Sequence, residues 1–204
     1  MQPFIRVAGP AAPLPQPNVD TDVIMPKQFL KGVDRTGLDR GVFHDLRFAA
    51  DGRPRPDFIL NRPSWRGVRF LVVGPNFGCG SSREHAVWGL AQLGIRALIG
   101  TSFAGIFNDN CQRNGILTVT LPADVIADLM AQVSRPDANG LIVDLPGQTI
   151  TVEADGRTIP FAVEALRRDA LIQGLDGVSA TLARHAEAIR AFEASHRQAN
   201  PWFY

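Results

Sequence analysis

The sequence is short of the features that mark specialised chains. Cysteine occurs only twice, as Cys79 and Cys111, which excludes a disulfide framework. Neither sign of charge dominates: 21 Lys and Arg stand against 20 Asp and Glu, a formal net charge of +1. With no Lys/Arg cluster interleaved with aromatics, nothing points to nucleic acid. The longest apolar runs, 70–73 and 97–99, are strand-sized and far short of a membrane span. The opening MQPFIRVAGPAAPLP lacks a basic region followed by a long apolar one, so no signal peptide is expected and a cytoplasmic location is the default. His44, His185 and His196 have no metal-ligand spacing. There is no internal repeat and no low-complexity segment.

What remains is an ordinary globular composition, 45% hydrophobic and 20% charged over 204 residues, enough for one domain with a real core. Residues 4–26 read as short strands and turns, because Pro10, Pro13, Pro15 and Pro17 exclude a helix. Residues 31–66 are rich in Gly, Pro and charge and keep no period, so they are expected as a mobile loop within a single domain spanning 1–204. Beyond it, hydrophobic patterning predicts strands over 69–73, 96–99 and 116–121 alternating with helices over 83–93, 103–114 and 122–133. In the first helix Val87, Leu90, Ala91 and Leu93 form the apolar side. Strand–helix–strand units in succession require parallel pairing, hence an α/β core. Strands at 141–145, 149–154 and 157–163 make a small β-rich addition, and helices at 164–172 and 182–195 finish the chain. In the last, Leu182, Ala186, Ile189 and Phe192 form an apolar stripe.

The chemistry concentrates in Asn76-Phe77-Gly78-Cys79-Gly80-Ser81-Ser82-Arg83-Glu84-His85. Two glycines let the backbone turn sharply and approach a ligand closely. The turn then enters a helix, whose unpaired N–H groups and dipole favour an anion. Arg83 is suited to gripping a carboxylate with two parallel hydrogen bonds. Ser81-x-x-Glu84 also reads as a capping box, so the residues alone leave Ser81 as a helix cap or a functional hydroxyl. Other motifs fail: a dinucleotide fingerprint needs Gly where Arg83 stands, a P-loop needs Lys where Ser81 stands, and a nucleophile elbow needs Gly where Glu84 stands.

GCGSSREHA with GIRALIGTSFAGIFNDNCQRNGIL resembles the swivelling domain of the aconitase superfamily. NVDTDVIMPKQFLKGVDRTG and LRRDALIQGLDGVSATL extend the resemblance over nearly the whole chain, to the family of bacterial 3-isopropylmalate dehydratase small subunits. That resemblance implies a swivelling β/β/α fold and a hydro-lyase reaction. Water leaves 2-isopropylmalate and returns on the neighbouring carbon through an unsaturated intermediate, in leucine biosynthesis. It also implies a [4Fe–4S] cluster held by three cysteines as Lewis acid. This chain has two, on different elements, so the cluster is expected on a separate large subunit and no metal is expected here.

By the same resemblance Ser81 is the base that takes the carbon-bound proton, and Ser82, Arg83 and Gly80 hold substrate. Asp22 matches an acidic position near the family's active site; a turn aspartate capping its own backbone is the plain alternative. Residues 27–36 form a candidate substrate-recognition loop, with Phe29, Leu30 and Val33 toward the alkyl group and Arg35 toward a carboxylate. Taken singly, each of these residues is better explained by a solvated loop with a small hydrophobic anchor. Asn110 and Asn114 also match family positions, and helix-end hydrogen bonding accounts for them. Thr118 stands where relatives often carry Pro. Methylmalate, dimethylmaleate and homoaconitate hydro-lyases share the architecture, and a non-catalytic carboxylate-binding module is the reading from another class.

Overall fold

A computed structural model describes residues 1–31 and 35–203. The chain opens with strand β1 (Arg6–Leu14), the short helices α1 (Thr21–Ile24) and α2 (His44–Arg47), and strand β2 (Phe70–Val73). Then follow α3 (Glu84–Leu93), β3 (Ala97–Gly100), α4 (Gly105–Arg113), β4 (Leu117–Thr120) and α5 (Ala123–Val133). Strands β5 (Gly140–Asp144), β6 (Thr149–Val152) and β7 (Thr158–Pro160) and helices α6 (Ala165–Gln173) and α7 (Gly177–Ala199) complete it. The seven strands form one sheet in the order β4-β3-β2-β1-β5-β6-β7. The first four are parallel and the rest antiparallel, so the α/β core and the β-rich addition are two halves of one sheet.

β1 joins the halves. Its residues 6–10 pair antiparallel with β5, and its residues 11–14 pair parallel with β2 on the other side. The change of partner falls at Pro10, which has no N–H to give but accepts from the Arg69 N–H at 2.8 Å. The proline-rich start is therefore one nine-residue strand rather than several short ones.

Both faces of the parallel half are buried, and the strand period of two sorts the side chains. Leu71, Val73 and Leu98 point into a core shared with α3, α4 and the 38–65 region. Phe70, Val72, Ala97 and Ile99 point into a second core under α5, β5 and β6. Each such aliphatic side chain contributes about 1.5–3 kcal/mol by leaving water.

The stretch expected as an unpatterned loop is irregular but not peripheral. It is a series of short turns around α2, and Leu38, Val42, Phe43 and Trp65 are buried. Trp65 also donates to the Val133 carbonyl at 3.2 Å, tying the stretch to the end of α5. Its anchors are isolated residues rather than a periodic face, which is why no pattern reveals them. Val33 lies outside the described residues. On α3 the buried side is Ala86, Val87, Gly89 and Leu90, while Ala91 is exposed. Gly89 replaces it in the interface because Met25 and Val42 approach too closely for a side chain.

Candidate active site

The loops after β1, β2 and β3 meet at one edge of the sheet, beyond the C-terminal ends of the parallel strands, where open α/β sheets place ligands. Residues 76–83 run between the other two loops. On one side Gly78 N–H donates to the Val19 carbonyl at 2.8 Å, and Thr21 N–H donates to the Cys79 carbonyl at 2.9 Å. On the other, Ala104 N–H donates to the Phe77 carbonyl at 3.1 Å. The turn requires its glycines. Gly78 has φ +77°, and a Cβ there would lie 2.1 Å from Cγ of Phe107.

The capping box predicted from Ser81 and Glu84 does not form. Helix α3 begins at Glu84 with Arg83 as its cap residue, so Ser81 stands in the loop ahead of it. Glu84 is engaged elsewhere: Asn114 Nδ2 donates to its Oε1 at 2.7 Å, and Trp88 Nε1 donates to Asn114 Oδ1 at 3.0 Å. Asn114 thereby ties α3 to α4.

A small cavity of about 120 Å³ gathers Gly80, Ser81, Ser82 and Arg83 with Thr21, Gly78 and the first turn of α4. Four of the six predicted site residues line it. Asp22 reaches it through Arg83: the two form an ion pair whose facing atoms, Asp22 Oδ1 and Arg83 Nη1, are shielded from solvent. The acidic Asp20-Thr21-Asp22 segment is thus divided. Asp20 caps α1 through the Val23 N–H at 2.8 Å. Thr21, 1% exposed, donates to the Ser81 carbonyl at 2.9 Å. Asp22 orients the guanidinium.

The helix aimed at this cavity is α4, not α3 alone as the sequence suggests. Ala104, Gly105, Ile106 and Phe107 form its wall, and no side chain caps α4 at Ala104. The first N–H groups of a helix have no intrahelical acceptor, so an uncapped start beside a cavity offers them to a ligand. Asn110, one turn further, also lines the cavity. It is 7% exposed, and among the described residues nothing hydrogen-bonds its side-chain amide. The absence of Ser, Thr, Asp or Asn immediately before Gly105 is the one signal in the sequence for this.

Arg35 stands outside this group. Its guanidinium stacks over Trp88 of α3 at 4.1 Å, and Trp88 also meets the ring of His85 at 4.7 Å. Phe29 and Leu30 pack against the core. Cys79 is half-buried in the turn, and Cys111 is fully buried on α4, where burial pushes its thiol well above the ordinary range. The two thiols lie on separate elements, and among the described residues no group of three His, Cys, Asp or Glu side chains comes together. Thr118 hydrogen-bonds Asn108 Oδ1 at 2.6 Å and receives Arg167, a buried polar link between α4, β4 and α6 that proline could not make.

Residues 1–124 match the family "Aconitase C-terminal domain", and residues 179–203 match the C-terminal domain of the 3-isopropylmalate dehydratase small subunit. The chain is 59% identical over 202 residues to 3-isopropylmalate dehydratase small subunit 1 of Mannheimia succiniciproducens, covering 99% of this chain and 98% of that one. It is 54% identical to small subunit 2 of Salmonella typhimurium, covering 99% and 96%. The crystal structure of a 3-isopropylmalate dehydratase from Methanocaldococcus jannaschii superposes with a TM-score of 0.65 at 26% identity, covering 93% of this chain and 99% of that one. With the swivelling-domain fold, the uncapped helix and the Ser-Ser-Arg turn in place, the chain belongs to the 3-isopropylmalate dehydratase small-subunit family of the aconitase superfamily.

Proposed function

We propose that this chain is the small subunit of a cytoplasmic 3-isopropylmalate dehydratase, interconverting 2- and 3-isopropylmalate in leucine biosynthesis. The observation that carries the site assignment is the cavity lined jointly by Ser81, Arg83 and the open start of α4. Arg83, held by Asp22, binds one substrate carboxylate through parallel hydrogen bonds. Gly80 lets the backbone come close to that carboxylate, and the Ser82 hydroxyl and Asn110 amide supply further hydrogen bonds. Ser81 Oγ takes the carbon-bound proton. A serine alkoxide is unfavourable in water, and the guanidinium together with the N–H groups and dipole of α4 stabilises it.

Ser81 and Ser82 are exposed on their outer side, so this chain encloses only half of the reacting group. In this reading the other half belongs to a large subunit, which carries the [4Fe–4S] cluster that supplies the Lewis acid for the departing hydroxyl. Closure of the two halves excludes water and strengthens each of the polar contacts. Arg35 and the loop around it adjust preference among alkyl substituents, since one branched alkyl group supplies only a few kcal/mol of discrimination.

The test is anaerobic co-expression with the large subunit, following absorbance of the unsaturated intermediate with 2-isopropylmalate and with shorter 2-hydroxy dicarboxylates. Turnover of 2-isopropylmalate at the highest kcat/KM is expected. Preference for methylmalate or homoaconitate would overturn the substrate, and no turnover of any of them would overturn the reaction.

A further inference from the structure

Helix α7 is 23 residues long, and among the described residues none of its side chains is buried. Its apolar positions are not scattered. Val178, Leu182, Ile189 and Phe192, together with His185 and His196, follow one another in alternating steps of four and three, the seam of a helix that packs lengthwise on another surface. Val178 is 70%, Leu182 50% and Phe192 66% exposed. Small residues such as Ala186 and Ala188 flank the seam, while Arg184, Glu187 and Arg190 occupy the opposite face. The charges are mixed in sign, unlike the basic face of a helix that lies on an anionic membrane. At its end Phe192, His196 and Phe203 stack in sequence, with ring centroids 5.5 and 6.0 Å apart.

We propose that this face is the docking element for the large subunit, seated in an apolar groove of that chain. Two observations select this occupant. The first is area. A helix of this length offers a band of about 35 by 10 Å, roughly 350 Å². Two copies pairing along it would bury this single seam alone, with two histidines among its six positions, which is a narrow and partly polar contact for a stable interface. A groove that wraps the seam and its small-residue flanks buries more, and the catalytic edge adds to it. The second is the division of the chain. Residues 1–124 match a domain named for its place at the C-terminal end of aconitase, where it is tethered covalently. Residues 179–203 match a family particular to small subunits. A domain that has become a separate chain needs a non-covalent attachment, and most of α7 lies in the segment that matches the small-subunit family. The inference rests on the large-subunit reading above.

The test is the affinity of the full-length chain for its cognate cluster-loaded large subunit, measured by calorimetry, for wild type and for Leu182→Glu combined with Phe192→Glu. Both positions are exposed, so the circular dichroism spectrum and Tm should not change. Kd is expected to rise at least about 30-fold, as for loss of an interface hot spot. When this chain is saturating, kcat should be retained, because the catalytic turn is untouched. Ser81→Ala gives the reverse pattern, with turnover lost and Kd unchanged. An unchanged Kd in the double variant would overturn the proposal. So would a wild-type dimer in sedimentation that the double variant dissolves while binding to the large subunit holds. Loss of docking in a complex that turns over no 2-hydroxy dicarboxylate would instead overturn the reaction and leave the docking assignment standing.

Discussion

Asp22 and Arg83 come from different loops and meet in an ion pair at the edge of the Ser81 cavity, with their facing atoms hidden from solvent. Asp22 therefore fixes where the guanidinium points. Asp22→Asn should leave the charge of Arg83 but release its direction, raising KM for isopropylmalate about 10-fold, the scale of a weakened charge-assisted bond. Arg83→Lys should be worse, because a point charge cannot reproduce the planar fork. Steady-state kinetics of the assembled enzyme separates the two; equal kinetics in Arg83→Lys and wild type would remove the carboxylate assignment.

Ser81→Ala distinguishes a base from a cap. Loss of a helix cap costs about 1 kcal/mol of stability. Since α3 starts at Glu84 and Ser81 caps nothing, the variant should melt at the wild-type temperature. Its kcat should fall at least about 1,000-fold, the range for losing an acid–base group. Near-normal turnover would mean that another group takes the proton.

Two asparagines on adjacent turns should fail in opposite ways. Asn114 bonds Glu84, Trp88 and the Asn110 carbonyl, so Asn114→Ala should lower stability by about 1–2 kcal/mol, the cost of stranding half-buried partners. Asn110 lines the cavity, and among the described residues nothing hydrogen-bonds its side-chain amide. Asn110→Ala should therefore keep its Tm and raise KM. Thermal melts and kinetics on the same two preparations test this together.

The α/β alternation was legible because β2, β3 and β4 are short apolar strands separated by helices with clear ends. Gly94 closes α3 in the left-handed conformation, and Pro122 opens α5. The Ser-Ser-Arg turn was legible as well, since its glycines and hydroxyls are contiguous. Three things were not. The capping box was present as letters but not as geometry, because Glu84 finds a better partner in Asn114 than in the Ser81 backbone. The anchoring role of Thr21 depends on a contact with Ser81 that no local pattern encodes. The burial of Leu38, Val42 and Phe43 has no period, since they are pinned one at a time by α3 rather than presented by a regular element.

The two thiols should separate by reactivity. Cys79 is half-buried in the turn, whereas Cys111 is wholly enclosed with its thiol held protonated. One cysteine should react with a disulfide reagent in the native protein, and the second only in denaturant. The sign of the linkage follows: the raised folded value contributes stability below the ordinary thiol value of 9.0, and that contribution is lost as pH rises beyond it. Melting temperature should fall more steeply above pH 9 in wild type than in Cys111→Ala. Equal slopes would show that burial does not govern this thiol.

The double pairing of β1 bears on how the chain is made. This strand is synthesised before either of its neighbours: its parallel neighbour begins at Phe70 and its antiparallel neighbour at Gly140. During synthesis it must wait, apolar and unpaired along both edges, until more than half of the polypeptide has followed it. Contacts of such long sequence separation form slowly, and unpaired edges invite aggregation meanwhile. The yield of soluble protein should thus be governed by translation speed and by the chaperones that shield an unpaired nascent strand.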